Sequence, residues 1–421
     1  MFLNNILTFF QNKLSPIYNK SFFLQNIDWL IFANILLVIL SSTIAPSDYI
    51  AYFAIFAIIL TIVKLFTKTG EKFELTWADK LLLIYFLFVV ISVAGSSLLY
   101  LSLKGFFKTL TYLGFYVSLV HYFKDNRDKI KYIFWAYALC VAFETVVAFL
   151  QNFAAVDEIS GWQDTSRLNP EEVMTRVYGT LKPYNPNLFG GYMLACIPSL
   201  ITLPKKWGIP IALFASVALI LTGCRGSYIG YFFQILLLVA VLYKFLEPKF
   251  KKLFATVVAS TGALIFCFMM SVSALRARIF SIFAMRSDSS NSFRFNVYNS
   301  CIDMFKDNWL LGIGVGNQNF REIYGLYMKT GFDALSAYNI YLETAVESGI
   351  FALLAFLGFI AFIIKYAIKN LKNIYVLAAL VSITGILLHG FVDTVFFRPQ
   401  IQFTFWIMVA TIRGFYDTRE N

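Results

Sequence analysis

The chain has 421 residues, of which 59% are hydrophobic and 14% charged, and its formal net charge is +11. Soluble domains carry about 25% charged residues, and the uncharged apolar runs at 81–101 and 253–272 reach the roughly 20 residues that cross a bilayer. The composition therefore excludes a soluble helical protein, and two histidines are too few for a metal site built from several histidines.

Twelve apolar runs follow one another along the chain and predict an all-α, polytopic membrane protein. Because lipid offers no hydrogen bonds to a peptide group, each spanning run is expected to be an α-helix. The predicted spans are 29–46, 49–66, 81–102, 106–123, 131–152, 187–203, 209–223, 227–246, 253–273, 340–364, 374–394 and 400–416. Residues 1–28 are expected to form a cytoplasmic or interfacial lead-in rather than a cleaved signal peptide, and residues 417–421 a cytoplasmic tail.

The basic residues predict the orientation of these spans. With the N-terminus in the cytoplasm, the inner segments hold 21 of the 35 Lys and Arg residues against 9 acids. This asymmetry follows the positive-inside rule, and it places both termini in the cytoplasm and the long loops 153–186 and 274–339 outside. The inner bases are mostly Lys and the outer ones mostly Arg. Arg presents a planar fork that suits phosphate or carboxylate, so the outer face is expected to bind an anion.

The five cysteines lie singly, and they form no CxxC or Cys/His spacing: Cys140, Cys196, Cys224, Cys267 and Cys301. The sequence therefore predicts neither a metal site nor a disulfide framework. No cofactor is expected. The positive charge is explained by the orientation of a membrane protein, so no nucleic-acid partner is expected either.

The break between the ninth and tenth spans is expected to be a large helical loop that carries the function, because loops on a rigid scaffold commonly do so. Its arginines are Arg276, Arg278, Arg286, Arg294 and Arg321. Farther on, Gly312-Ile-Gly314-Val-Gly316 separates two helical stretches. These glycines do not match the GxGxxG dinucleotide pattern, so they are interpreted as permitting tight turns and close backbone approach.

Four motifs together resemble the O-antigen ligase and polymerase superfamily. They are Arg176-Val-Tyr-Gly-Thr180 with Asn185-Pro-Asn187-Leu-Phe-Gly190, then Thr222-Gly-Cys-Arg225-Gly226-Ser, then the glycine segment from Gly312, then Ser336-Ala-Tyr338-Asn339 through Glu343 to Gly349. Twelve spans with a large outer loop between the ninth and tenth are similar to that superfamily's architecture. The Ser336–Asn339 form and the stretch from His389 to Pro399 resemble most a branch described as inorganic-carbon (bicarbonate) transporters.

The resemblance implies a membrane glycosyltransferase of the bacterial inner membrane. The donor would be a polyprenyl-diphosphate-linked glycan and the acceptor a glycan or lipid, with transfer at the periplasmic face. Arg225 and Arg294 match the arginines that would stabilise the diphosphate leaving group. Tyr338 occupies the slot where ligases carry a histidine base, and a phenol with a pKa near 10 is a poor base at neutral pH.

The same motifs and the outer face supply further candidates for substrate binding: Arg176, Asn187, Arg278, Asn339, Glu343 and Arg398. Each has a structural alternative. Asp393 and Arg398 are expected to pair with each other across a short outer turn, and Asn185 and Asn187 to cap the sixth span. Glu144 inside the fifth span is either functional or a hydrogen-bonded neutral acid, and His389 is expected to be a packed polar residue.

Two other functions stay open from the sequence. An anion transporter would need a site near the middle of the membrane that both faces can reach, yet the spans contain almost no charge except Glu144. An accessory membrane protein that keeps the fold without the activity is compatible with Tyr338 in the histidine slot.

Overall fold

A computed structural model describes residues 2–154, 176–329, 331 and 333–416. Within these ranges every regular element is a helix, which confirms the all-α prediction. The α-helices are α1 (Phe2–Lys20), α2 (Phe22–Gln25), α3 (Ile27–Ile44), α4 (Ser47–Thr67), α5 (Trp77–Ala94), α6 (Leu99–Asp125), α7 (Ile130–Phe153), α8 (Pro186–Cys196), α9 (Lys205–Leu221), α10 (Arg225–Phe245), α11 (Pro248–Ser271), α12 (Ser273–Phe283), α13 (Ser289–Asn308), α14 (Asn317–Tyr327), α15 (Ile340–Lys369), α16 (Ile374–His389) and α17 (Pro399–Phe415). The tail 417–421 and residues 155–175 of the first predicted outer loop lie outside the described residues.

A helix occupies the place of each of the twelve predicted spans. In the described part of the chain, seven helices are long and apolar enough to cross a membrane: α3, α4, α5, α7 with the turn before it, α10, α11 and α15. Helix α6 has 27 residues but contains Lys104 and Lys108, and α8, α9, α16 and α17 are shorter, with 11 to 17 residues. The structure thus indicates a multi-pass membrane protein, while the number twelve stays a prediction.

The long break after the ninth predicted span is helical, as expected. It contains α12, α13 and α14, and the last two share a small core with the segment that precedes α15. Val297, Cys301, Phe320 and Tyr324 are fully buried there, so this region is a packed unit rather than a loose connection. Its placement on the periplasmic side stays a prediction.

Helix α15 is not the single uninterrupted span that the sequence suggested. Gly349 has φ 81° and ψ 174° inside it, so two helical pieces meet at a break. Glu343 and Glu347 precede the break, and both side chains are buried. The predicted span 340–364 runs through this position, because no proline marks the break and apolar residues surround the two glutamates.

The glycine segment and the residues before it provide hydrogen-bond partners for the backbone at the break in α15. The amide of Ile313 donates to the carbonyl of Val346 (3.0 Å), that of Gly314 to Glu347 (3.0 Å), and that of Ile350 to Trp309 (2.9 Å). Buried backbone groups need such partners, because an unpaired amide loses its bond to water without compensation. The predicted role of these glycines in close backbone approach is confirmed: a Cβ on Gly312 or Gly349 would overlap backbone atoms of Glu347 or Leu310.

Helix α17 runs through the centre of the bundle, and α11 lies at its edge. Every residue of α17 from Gln400 to Gly414 is buried. None of the 24 residues of α11 is buried, so α11 packs little against the other helices. The bundle therefore has a dense centre and one loosely attached helix beside α12.

We predict that Gly349→Ala lowers the free energy of unfolding by about 2 kcal/mol or more, because alanine at this φ and ψ is strained and its Cβ meets Leu310. Thermal unfolding in detergent measures the effect. Gly262→Ala is the matched control, since a Cβ there contacts nothing within 4 Å and α11 continues through it. Equal melting temperatures for the two variants would contradict the role assigned to the break.

Candidate active site

A cavity of about 1580 Å³ lies where the N-terminal ends of α8, α10 and α17 meet α12 and α13. Six arginines line it, together with three aspartates: Arg176, Arg225, Arg278, Arg286, Arg294 and Arg398, and Asp288, Asp333 and Asp393. No other ionisable Lys, Glu or His side chain of the described residues lines it. The cavity therefore carries an excess of positive charge, while its place on the outer face stays a prediction.

Arg225 is held by the helical loop. It is the first residue of α10, its two terminal nitrogens each lie 3.1 Å from an oxygen of Asp288, and Nη1 also donates to the carbonyl of Ser281 at 3.0 Å. Burial raises the pKa of Asp288, but the hydrogen bond and charge of Arg225 outweigh it, so that pKa lies below its usual value. Asp288 thus remains ionised and keeps the fork of Arg225 facing the cavity.

A chain of polar side chains joins Arg294 on α13 to Arg176. Arg294 Nη2 lies 3.2 Å from Asp393 Oδ2, Asn187 Nδ2 donates to the same oxygen at 3.2 Å, and Arg176 Nη2 donates to Asn187 Oδ1 at 2.6 Å. The expected pairing of Asp393 with Arg398 is therefore wrong. Nearness in sequence suggested Arg398, but α13 reaches across the cavity and brings Arg294 to Asp393. The expected cap is half right: Asn185 accepts from the amides that follow it, whereas Asn187 binds the two charged groups.

Arg278 and Arg398 differ from these paired arginines. Arg278 Nε donates to the carbonyl of Gly223 at 2.7 Å, and neither residue has an acidic group within 4.0 Å among the described residues. Burial, and then the charges of Arg176 and Arg225, lower the pKa of Arg278 to about 10. An anion that enters the cavity would stabilise this buried guanidinium, because it compensates for the hydration that the charged group loses on burial.

Tyr338 lies at the cavity wall with its ring beneath Arg294, whose guanidinium carbon is 5.5 Å from the ring centre. Its φ is 51°, and Tyr298 Oη donates to its carbonyl at 3.1 Å. Burial raises the pKa of Tyr338, so an even smaller fraction of the phenol is ionised at neutral pH than in water. Tyr338 therefore supports the guanidinium of Arg294, and its catalytic role stays a prediction.

Asn339 and Glu343 do not line the cavity. Asn339 caps α15 by accepting from the amides of Tyr341 and Leu342, and donates to the carbonyl of Phe391 at 3.1 Å. Glu343 is buried and accepts from the amide of Ala337 at 2.9 Å. Both hold the segment that carries Tyr338. The other seven predicted site residues do line the cavity: Arg225, Arg294, Tyr338, Arg176, Asn187, Arg278 and Arg398.

Sequence reasoning missed Asp288 as the partner of Arg225. A local signal exists, because Asp288 precedes Ser289 and accepts from the amide of Asn291 as the N-cap of α13. That signal shows where a helix begins but not that α10 supplies an arginine to the same carboxylate. His389 is packed, as expected, with Nε2 3.7 Å from Cys224 Sγ.

Residues 210–357 match the sequence model of the Wzy_C family, described as O-antigen ligase. The matched segment contains Arg225, Arg278, Asp288, Arg294 and Tyr338, and it ends within α15. No curated protein matches the chain. The family match supports the superfamily that the motifs indicated, while the bicarbonate-transporter branch stays a prediction.

We predict that Arg278→Gln weakens binding of methylene diphosphonate by tenfold or more, because hydrogen bonds to charged groups contribute about 1.5–3 kcal/mol. Calorimetric titration of the purified protein in detergent measures the affinity. Arg286→Gln is the matched control: Arg286 lines the same cavity but is exposed, so its loss is expected to change affinity by less than about threefold. Equal losses would show that only the total charge of the cavity matters.

Proposed function

We propose that the protein is a membrane glycosyltransferase of the O-antigen ligase or polymerase type. It would transfer a glycan from a polyprenyl-diphosphate donor to a glycan or lipid acceptor at the periplasmic face of the bacterial inner membrane. The observation that carries the proposal is the arginine-lined cavity, most of whose cationic residues fall in the segment that matches the O-antigen ligase family.

In this reaction the acceptor oxygen attacks the anomeric carbon of the donor sugar while the bond from that carbon to the diphosphate oxygen breaks. The electron pair leaves with the diphosphate, so negative charge grows on the leaving oxygen. Arg278 and Arg398 have no acidic partner among the described residues to displace and would bind the diphosphate first. Arg225 and Arg294 would strengthen their contacts as charge develops, which favours the transition state over the bound donor.

The proton of the acceptor hydroxyl needs a destination other than Tyr338. Asp393 lines the cavity and is bound by Arg294, the residue that also covers the Tyr338 ring. Its Oδ1 accepts from the amide of Thr394 at 2.7 Å, which fixes the carboxylate. We therefore assign Asp393 as the general base, a role that an acidic side chain within reach of the acceptor commonly performs.

A lipid-linked donor must reach the cavity from the bilayer. Ile229 of α10, together with Phe280 and Ile282 of α12, gives the cavity an apolar wall, and α11 beside them is unpacked. The polyprenyl tail would lie along this wall without leaving lipid. Such lateral access is consistent with membrane lipid as a partner and with a donor that never enters water.

A one-sided cavity favours transfer over anion transport. Beneath it, the fully buried side chains of Phe189, Tyr192 and Phe405 fill the bundle. The carboxylate of Glu144 is already bound by the amide and the hydroxyl of Thr180, which both donate to it. Transport needs a site that alternates between both faces, and this packing separates the cavity from the other end.

We predict that a deletion strain loses long surface glycans on a gel, and that wild type restores them whereas Arg225→Ala and Arg294→Ala do not. Arg276→Ala is the matched control and is expected to restore them, since Arg276 is exposed outside the cavity. An unchanged glycan profile in the deletion strain would refute glycosyl transfer and make labelled-bicarbonate uptake the next measurement.

We predict that Asp393→Asn lowers the turnover number by about 100-fold, a usual contribution of a general base. Donor affinity is expected to hold or increase, because Arg294 loses its carboxylate partner and gains freedom to bind the diphosphate. Turnover and donor affinity measured separately on purified protein distinguish the two effects. A fall in donor affinity with unchanged turnover would instead assign Asp393 to donor binding.

A further inference from the structure

A second cavity, of about 580 Å³, lies at the other end of the bundle. Helix α17 begins beside Arg398 at the arginine cavity and carries Arg413 at the second one, 15 residues or about 22 Å farther along the axis. Helix α5 meets the glycine segment at Ser92, which accepts from the amide of Gly314, and α6 meets it at Gly105. Both helices reach the second cavity with their opposite ends. The two cavities are therefore on opposite faces.

The second cavity is a groove between α5 and α6. Apolar side chains line both walls: Leu82, Leu83 and Phe86 on α5, and Leu110, Leu113, Val117 and Val120 on α6. From Lys124 to Leu110 the groove follows 14 residues of α6, which is about 21 Å of helix. Phe86 stacks on Phe106 at 5.8 Å near its far end. The groove has the length and apolarity to hold an acyl chain.

Basic side chains surround the open end of this groove. They are Lys72 in the α4–α5 connection, Lys124 on α6, Arg127 and Arg413. The side chain of Arg413 is 8% exposed; its Nε lies 3.1 Å from Asp79 Oδ2 and its Nη2 donates to the carbonyl of Glu74. Within the described residues, Nη1 has no hydrogen-bond partner. This nitrogen is therefore available to donate to an anionic or polar ligand in the cavity.

The acids at this end are already engaged by other groups. Asp79 binds Arg413 and accepts from Tyr116 Oη at 2.7 Å, and Asp125 lies 3.6 Å from the buried ammonium of Lys64. Lys72 and Arg127, in contrast, have no acidic group within 4.0 Å among the described residues. The open end therefore presents positive charge that the protein does not neutralise.

We propose that this groove binds an anionic glycerophospholipid. Its phosphodiester would lie among Lys72, Arg127 and Arg413, and one acyl chain would lie between α5 and α6. The charge of the open end complements a phosphate, and the apolar walls continue from it in the direction in which a lipid chain enters the bilayer. The site is separate from the diphosphate cavity, so it stands independently of the proposed glycosyl transfer.

Native mass spectrometry of the full chain in detergent, titrated with dioleoyl phosphatidylglycerol or dioleoyl phosphatidylcholine, tests the proposal. We expect phosphatidylglycerol to bind at least tenfold more tightly. Lys72→Ala/Arg127→Ala is expected to weaken its binding by about tenfold or more, because each basic side chain near an anionic headgroup contributes roughly fivefold. Leu83→Trp, at a position 54% exposed on the groove wall, is expected to weaken both lipids by filling the groove.

Lys205→Ala/Lys252→Ala is the matched control, because it removes the same charge from the same end of the bundle outside the groove. It should leave phosphatidylglycerol affinity within about twofold, and all variants should keep the melting temperature measured without added lipid. Equal loss in the control, equal affinity for the two lipids, or binding of glycerol phosphate as tight as that of the lipid would each overturn the proposal.

Discussion

The backbone pairing between the glycine segment and the interrupted α15 is the constraint on which the site depends. A helix broken inside a membrane protein leaves amides and carbonyls that lipid cannot satisfy. Here the amides of Ile313 and Gly314 donate to carbonyls of α15 before the break, and the amide of Ile350 donates back to Trp309. The amide of Gly316 also donates to Glu347 Oε1 at 2.8 Å. The helical unit that carries Arg294, and the strained turn that carries Tyr338, are thereby fixed to the bundle.

The arginine cavity combines two kinds of cation. Arg225 and Arg294 are oriented by aspartates, which offset the cost of burial and set the direction of each guanidinium. Arg278 and Arg398 have no such counterion among the described residues, so an arriving anion completes their surroundings. The first pair therefore maintains the geometry of the site, and the second pair attracts the ligand. A cavity in which an aspartate neutralised every arginine would bind a diphosphate weakly.

Hydropathy predicted where the helices are, because lipid imposes both their length and their composition. It did not predict the break at Gly349, because no proline marks it and the apolar residues around Glu343 and Glu347 let the predicted span run through it. The motifs predicted seven of the residues that line the cavity, but they assigned Asn339 and Glu343 to it as well. Those two hold the backbone of the adjacent turn, and motif position alone does not distinguish a residue that lines a site from one that supports it. The partnership of Asp393 with Arg294 required the fold, because 99 positions separate the two residues in sequence.

Helix α11 has no buried residue, and α12 with Arg278 begins two positions after it ends. A membrane helix adjusts its tilt when its apolar length and the bilayer thickness differ, and α11 can do so without disturbing a packed core. Such a change in tilt moves the start of α12 directly. Because Ser281 on α12 and Asp288 just after it hold the guanidinium of Arg225, a change in bilayer thickness would reach this side chain through the same connection.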